Sequence, residues 1–381
     1  MIVGIDASNI RSGGGVTHLV EMLRAAQPAA AGFSQIIVWS SRRTLAQIED
    51  RPWLLKSPQA ALDRSLPYRT LWQIFALSRL ALAASCSVLL VPGGSFAGRF
   101  RPVVTMSRNL LPFEWHELRR YGISWDALRL LLLRFTQSRS FRRVDGLIFL
   151  TRYAQQVVSR ATGPFPPATA IIPHGIDSAF FCAPRAQLSV AEYSASRPFR
   201  LLYVSVIDVY KHQWHVIDAA GRLRAQGIPV SLTLVGPVQP RAATMFTRAI
   251  RRVDPRGEFV QHLGAVAHRQ LPAHYAQADL CVFASSCENL PNILLEGMAS
   301  GLPIACSRLG PMPEVLGDAG SYFNPEDPED IARAVGALIA SEELRARSAA
   351  ASYALASRYS WTRCAAETMS LLGHVARLRL E

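Results

Sequence analysis

Lysine is almost missing from this chain: of 41 basic residues only Lys56 and Lys211 are lysines, so a lysine in a loop stands out against an arginine background. The six cysteines (Cys86, Cys182, Cys281, Cys287, Cys306 and Cys364) form no CxxC pair and sit mostly in apolar runs. That excludes a zinc ribbon or disulfide framework and leaves small core residues of a reducing compartment. Charged residues make up only 18% against 50% hydrophobic, which excludes disorder. The longest apolar tract, Leu71 to Pro92, carries Gln73 and Arg79, so it reads as a helix around 70–84 followed by a strand Ser87–Val91 and not as a membrane span. Met-Ile-Val-Gly-Ile-Asp lacks a positive n-region and runs straight into a strand, so secretion is not expected and a cytoplasmic location is. There is no low-complexity tract and no solenoid period.

Strand-like and helix-like stretches alternate over 381 residues, more than one core usually supports, so two α/β domains are expected. The first begins with strand Ile2–Asp6, a polar loop from Ser8 through Ser12, Gly13, Gly14 and Gly15, and a helix Val16–Ala25. Strands follow at Gln35–Trp39, Ser87–Val91, Pro102–Met106, Gly146–Leu150 and Ala170–Ile172, with helices at Thr44–Glu49, Tyr68–Ala84, Trp125–Phe141 and Ala154–Ala161. The Ala-, Ser- and Pro-rich stretch 179–198 is expected to link this domain, 1–178, to the next, 199–360. There the pattern restarts, with strands Leu201–Ser205, Ser231–Val235, Phe259–Leu263, Leu280–Ala284 and Pro303–Cys306. Helices are expected at Gln213–Gln226, Ala242–Arg252, Gln270–Gln277, Asn289–Ser300 and Pro328–Ile339. Basic charge is lopsided: residues 1–178 hold 21 Lys and Arg against 10 Asp and Glu, or +11 of the total +13. Such a half suits an anionic surface.

The stretch Glu288-Asn-Leu-Pro-Asn-Ile-Leu-Leu-Glu296 sets two carboxylates eight residues apart around a strand-to-helix turn. Asn289 is the expected N-cap, Pro291 the first-turn residue and Gly301 the left-handed terminator, so Glu296 lies two turns deeper than Glu288. Free N–H groups at the helix start suit phosphate, and the deeper carboxylate suits a ribose or sugar hydroxyl. Arg119, Arg120, Arg129, Arg134, Arg139, Arg142 and Arg143 flank Trp125, Leu128, Leu131, Leu132 and Phe135. This pattern fits a helix resting on an anionic membrane leaflet and equally the solvated face of a core-packed helix. Stacking aromatics are too few for nucleic acid.

Several spaced motifs resemble the retaining GT-B glycosyltransferases of the family numbered four, whose hallmark is the E-x7-E element: Lys211 after Tyr-Val-Ser-Val, Leu-Thr-Leu-Val-Gly236, Leu-Gly264-Ala-Val, Tyr275-Ala-Gln-Ala-Asp279, Glu288 to Glu296, and Gly301-Leu-Pro303. Gly13-Gly14-Gly15-Val-Thr-His18, Pro112-Phe113-Glu114 and Ile172-Pro173-His174-Gly175 extend the resemblance to the first half, and Tyr359-Ser-Trp361 resembles the start of the family's last helix. The resemblance implies two facing Rossmann-like doubly wound domains. It also implies a last helix, 361–381, packed back on the first domain, and no metal or other cofactor. The implied partners are a GDP- or UDP-linked sugar, bound mainly by the second domain, and a saccharide or lipid-linked saccharide acceptor, bound mainly by the first. The implied role is transfer of a hexose, mannose as first choice, in bacterial cell-surface polysaccharide synthesis at the inner face of the membrane.

By the same resemblance Glu288 contacts the transferred sugar as the catalytic candidate and Glu296 the ribose. Lys211, Gly14, Gly15, Gly236, Asn289, Leu290 and Pro291 complete the donor site, and His18, Arg108, Asn109, His116 and His174 are acceptor-side candidates. Two positions depart from the pattern. Val206 stands where the family often has a phosphate-binding arginine, for which Arg200, Arg308 or His212 could substitute. Ser107-Arg108-Asn109 stands where many relatives carry a histidine. A GT-B phosphorylase or nucleotide-sugar epimerase is the runner-up among enzymes, and the two departures keep open a non-catalytic sugar- or lipid-binding subunit of the same fold.

Overall fold

In a computed structural model that describes residues 1–11 and 13–378, leaving Ser12 of the glycine loop outside the described residues, the chain divides into two units. The first comprises Met1–Gly175 and the chain from Tyr359 on, the second Ile176–Arg358. Each is a parallel sheet with helices on its faces.

The first sheet holds β1 (Ile2–Asp6), β2 (Gln35–Ser40), β3 (Leu54–Pro58), β4 (Val88–Val91), β5 (Val103–Met106), β6 (Gly146–Phe149) and β7 (Ala168–Ile171), in the order β3-β2-β1-β4-β5-β6-β7. The second holds β8 (Phe199–Val204), β9 (Val230–Val235), β10 (Val260–His262), β11 (Leu280–Phe283), β12 (Ile304–Ser307) and β13 (Gly320–Phe323), in the order β10-β9-β8-β11-β12-β13. All pairings are parallel, for example Val3 with Val88 and Leu280 with Leu201. β4, β5, β6, β11 and β12 are buried at every position, as strands covered on both faces must be. In each sheet the order reverses between two adjacent strands, β1 and β4 in the first, β8 and β11 in the second. Ligands of open α/β sheets bind outside the carboxyl ends at that reversal.

Two strands escape the sequence pattern, β3 and β13. Both are edge strands with partly exposed residues, so neither shows a continuous apolar run. The helix expected at Tyr68–Ala84 is two, Leu66–Phe75 and Leu77–Ala83. Among the described residues no helix is long and apolar enough to cross a membrane.

The stretch 179–198, expected as a linker, belongs to the second unit. Fully buried Arg345 anchors it, donating to Gln187 Oε1 at 3.2 Å and to the Leu188 carbonyl while its other bonds reach Leu338 and Ile339. Arg185 adds an ion pair to Asp279 at 2.7 Å. Composition had no means of revealing these long-range bonds.

Helix Trp361–Arg377 lies in the first unit, against helix Gly14–Ala25 and strands β4 to β7. Its entry depends on Gly175, where a Cβ would sit 2.2 Å from the Trp361 amide nitrogen. That close approach is the physical reason for glycine after His174.

Candidate functional site

The reversal of the second sheet brings together two segments that are far apart in sequence. β8 ends at Val204 and runs into loop 205–212, while β11 ends at Phe283 and runs into turn 284–291. Backbone and side-chain bonds stitch the two, Ser286 N donating to Tyr210 O at 2.9 Å and His212 Nε2 meeting Ser286 Oγ at 2.9 Å, while within the first segment Tyr203 OH donates to Lys211 O at 2.7 Å.

Lys211, 5% exposed, lies in this seam with its ammonium 5.0 Å from the centroid of the Tyr210 ring and 5.4 Å from that of Phe283. Its Nζ donates to Glu288 Oε1. The two residues are 77 positions apart, and only the adjacency of β8 and β11 joins them. A cation held by a carboxylate and two ring faces is a fixed point charge in a site of reduced dielectric.

Helix Asn292–Ala299 is shorter than its sequence suggests. Pro291 takes the N-cap position, and Asn289 and Leu290 belong to the turn before it, both buried. The extended conformation of Pro291, ψ 95, delays the helix, so Glu296 lies one turn inside it and not two. Gly301 ends it as expected, at φ 64. Glu296 is 9% exposed, and burial raises its pKa against the opposing bonds of His268 and Tyr275. His268 Nε2 lies 3.1 Å from Oε1 and Tyr275 OH donates to Oε2 at 3.4 Å. Phe180 backs both rings, at 5.1 and 5.8 Å between centroids.

Gly236 closes this end of the sheet. Its N–H donates to Gly264 O at 2.8 Å, its carbonyl meets His262 Nε2 at 2.8 Å, and its φ is 143. These contacts give it a backbone role in seating the β9 turn against the end of β10.

Of the substitutes for the arginine absent at Val206, Arg200 lies at the amino end of β8, where it holds Asp279 at 3.0 Å, away from the carboxyl ends. Arg308 pairs with Asp330 at 2.6 Å, and His212 is buried against Ser286. Sequence reading missed Arg241. From the first turn of helix Pro240–Val253 it grips Asp208 of the β8 loop, Nε to Oδ1 at 2.7 Å and Nη2 to Oδ2 at 3.0 Å, and it is about one-third exposed. The adjacency of β8 and β9 was the signal that could have found it. His268 was also missed, since a histidine between Ala267 and Arg269 carries no motif.

In the first unit, Arg108 follows β5 and its Nη2 donates to Gly14 O at 2.7 Å, so it supports the glycine loop directly. A Cβ on Gly15 would lie 3.1 Å from Arg108 Nη1. Burial brings the Arg108 pKa down to about 10. Asn109 folds back to accept from Leu111 N at 3.1 Å, and His116, largely exposed, lies 3.2 Å from Glu117 Oε1.

His18 and His174, expected near an acceptor, are core residues at 2% and 4% exposure. Their Nδ1 atoms are 2.9 Å apart and both rings pack on Trp361. Burial leaves no ring surface for a ligand. A 2.9 Å Nδ1–Nδ1 contact requires one proton between two neutral rings. Burial, with Arg108 nearby, holds His18 well below the usual histidine value and His174 at about 3.

Unfolding exposes both to water, where they protonate near pH ~6.5. The unfolded chain thus binds more protons below that pH, and stability is full above it and falls as pH drops. The unfolding free energy of the first unit, read from urea titration, is expected to decline below pH ~6.5 by about 1.4 kcal/mol per pH unit for each ring, lowering the midpoint with it, and His174→Gln should flatten that slope. A wild-type midpoint unchanged between neutral pH and the carboxylate range would contradict the neutral pair.

Residues 198–341 match the family model described as glycosyl transferases group 1. The relatives include O-antigen chain mannosyltransferase B of Escherichia coli, 32% identical over 115 residues, covering 30% of each chain. Glycogen synthase of Mycobacterium tuberculosis is 30% identical over 234 residues, 60% of this chain and 53% of that one. The chain thus spans no more than about half the length of these relatives. Among solved structures, sucrose-phosphate synthase of Thermosynechococcus elongatus superposes with a TM-score of 0.73 at 17% identity, over 100% of this chain and 99% of that one. The two parallel sheets with their helices are the GT-B fold.

Proposed function

We propose that this GT-B chain is a retaining glycosyltransferase that moves a hexose from a nucleoside diphosphate to a saccharide or lipid-linked saccharide acceptor in cell-surface polysaccharide synthesis. The observation that carries the reading is the Lys211–Glu288 pair at the carboxyl ends of the two strands where the sheet order reverses. A departing diphosphate needs fixed positive charge, and the developing oxocarbenium needs a carboxylate beside it. Lys211 supplies the first and Glu288 the second. Arg241, one strand away, takes the clamp role that Val206 cannot, its guanidinium oriented by Asp208. Glu296 accepts from the ribose hydroxyls, with His268 and Tyr275 orienting its carboxylate. Arg108 and the Gly14–Gly15 turn serve the acceptor side. The acceptor hydroxyl attacks the face from which the phosphate leaves, and a phosphate oxygen takes the proton. The mannosyl transfer named for one relative makes GDP-mannose the first donor to try, with UDP-sugars next.

Glu296→Ala removes a buried diol acceptor, and hydrogen bonds to charged groups contribute about 1.5–3 kcal/mol. The donor KM is therefore expected to rise roughly ten- to a hundredfold with kcat within about threefold, as loss of uniform binding requires. Steady-state kinetics on GDP-mannose and UDP-glucose read the split. Calorimetric titration of the wild type with GDP and UDP tests the reading itself, since absence of heat with both would leave a fold without a donor site.

A further inference from the structure

Helix Trp125–Phe141 is built with its polarity reversed. The residues it buries are Ala127, Leu130, Gln137, Ser138, Ser140 and Phe141, half of them polar. It turns five large apolar residues outward: Trp125 is 77% exposed, Leu128 46%, Leu131 40%, Leu132 56% and Phe135 65%, beside Arg129, Thr136 and Arg139. Positions 128, 131, 132 and 135 follow the i, i+3, i+4, i+7 spacing of one stripe, which in a water-soluble helix faces the core. Rotation cannot relieve this, because Ser140 Oγ accepts from Phe96 N at 2.8 Å on the buried side.

The same stripe continues into Arg139 and Arg142, both exposed. Neighbouring carboxylates are engaged, Glu117 with Arg120 and Asp145 with Arg101, each at 2.8 Å. A second apolar face lies beside the first. Helix Leu66–Phe75 exposes Leu71 at 51% and Phe75 at 61%, and its Gln73 Oε1 accepts from Ala97 N at 3.0 Å, next to the Phe96 that Ser140 holds.

We propose that this face of the first unit rests on an anionic phospholipid bilayer, with Trp125, Leu132 and Phe135 at the acyl boundary and Arg139 and Arg142 on lipid phosphates. A stripe of Trp, Leu and Phe ending in arginines matches the depth profile of such an interface, apolar groups entering by ~5–10 Å below charged headgroups. A second copy fits less well, because a two-fold contact on this face would set like arginine clusters together. The proposal goes beyond the transfer reaction and does not depend on it.

Flotation of the full chain with vesicles tests it, using pure phosphatidylcholine and an equal mixture of phosphatidylcholine and phosphatidylglycerol, at low and high salt. The wild type is expected to favour the anionic vesicles at low salt by roughly tenfold or more. The triple variant Trp125→Glu, Leu132→Glu, Phe135→Glu should lose about a hundredfold in partitioning, and Arg139→Glu with Arg142→Glu should lose the anionic preference. Met245→Glu, at an exposed apolar site of the second unit, should change nothing. Equal thermal midpoints and equal heats with GDP or UDP in every variant separate membrane loss from unfolding and from donor loss. Absence of partitioning, partitioning indifferent to the triple variant, or a wild-type dimer that the triple variant converts to monomer would each overturn the proposal.

Discussion

Lys211→Ala is expected to lower kcat/KM for sugar transfer by about a thousandfold while leaving the protein folded. Lys211 is 5% exposed and its ammonium is held by Glu288 and two aromatic rings, so its charge is neither well screened by water nor free to move. Fixed donors aimed at developing charge in such sites contribute about 10²–10³ each to turnover. Loss of Lys211 also leaves the half-buried Glu288 without its cation, which disfavours an approaching diphosphate further. Lys211→Arg should recover little, because a planar fork does not fit a box shaped around a point charge. Glu288→Gln keeps the shape and removes the charge, so it should lower kcat more than it raises KM. Initial rates under saturating and limiting donor measure all three. Activity of Lys211→Ala within about threefold of wild type would remove this lysine from the chemistry, since ~4 kcal/mol is required for a thousandfold effect.

Gly236→Ala is expected to be the most destabilising single methyl in the second unit, by roughly 3–5 kcal/mol. A Cβ there would lie 2.0 Å from the Ser205 carbonyl oxygen, and φ 143 is a backbone conformation that side chains rarely adopt. Relief would require the β9 turn to move away from β8, straining its bond on the opposite side, from Gly236 N to Gly264 O at 2.8 Å after β10. Gly13→Ala is the internal control. Gly13 also has positive φ, 63, with ψ −157, but nothing lies within 4 Å of its Cβ position, so only about 1–3 kcal/mol of backbone strain should appear. Chemical denaturation of both variants reads the difference. Equal losses would mean that backbone conformation, and not the Ser205 contact, explains the glycine at 236.

Much of the fold was legible because parallel strands covered on both faces announce themselves as short apolar runs. β1, β2, β4, β5, β6, β8, β9, β10, β11 and β12 all fall close to their expected positions. The edge strands β3 and β13 did not, since a strand buried on one side needs no continuous run. Helix Trp125–Phe141 was legible in extent but not in meaning. Its arginines and leucines fitted two orientations, and only the bonds of Ser140 decide that the leucines face outward. His18 and His174 carried a polar signal that read as function, yet 156 positions of intervening chain bring them into one buried pair.

The sequence by itself determined the α/β class, the two units, and the residue types of the candidate site, because periodicity, turn chemistry and the Glu288–Glu296 spacing act over a few residues. Tertiary structure alone decided which charges meet. Lys211 finds Glu288 and Arg241 finds Asp208 because β11 and β9 flank β8, and Arg200 is withdrawn from the site because it sits at the opposite end of that strand. Electrostatic interactions depend on distance in space, and a parallel sheet with crossover connections makes that distance independent of separation along the chain.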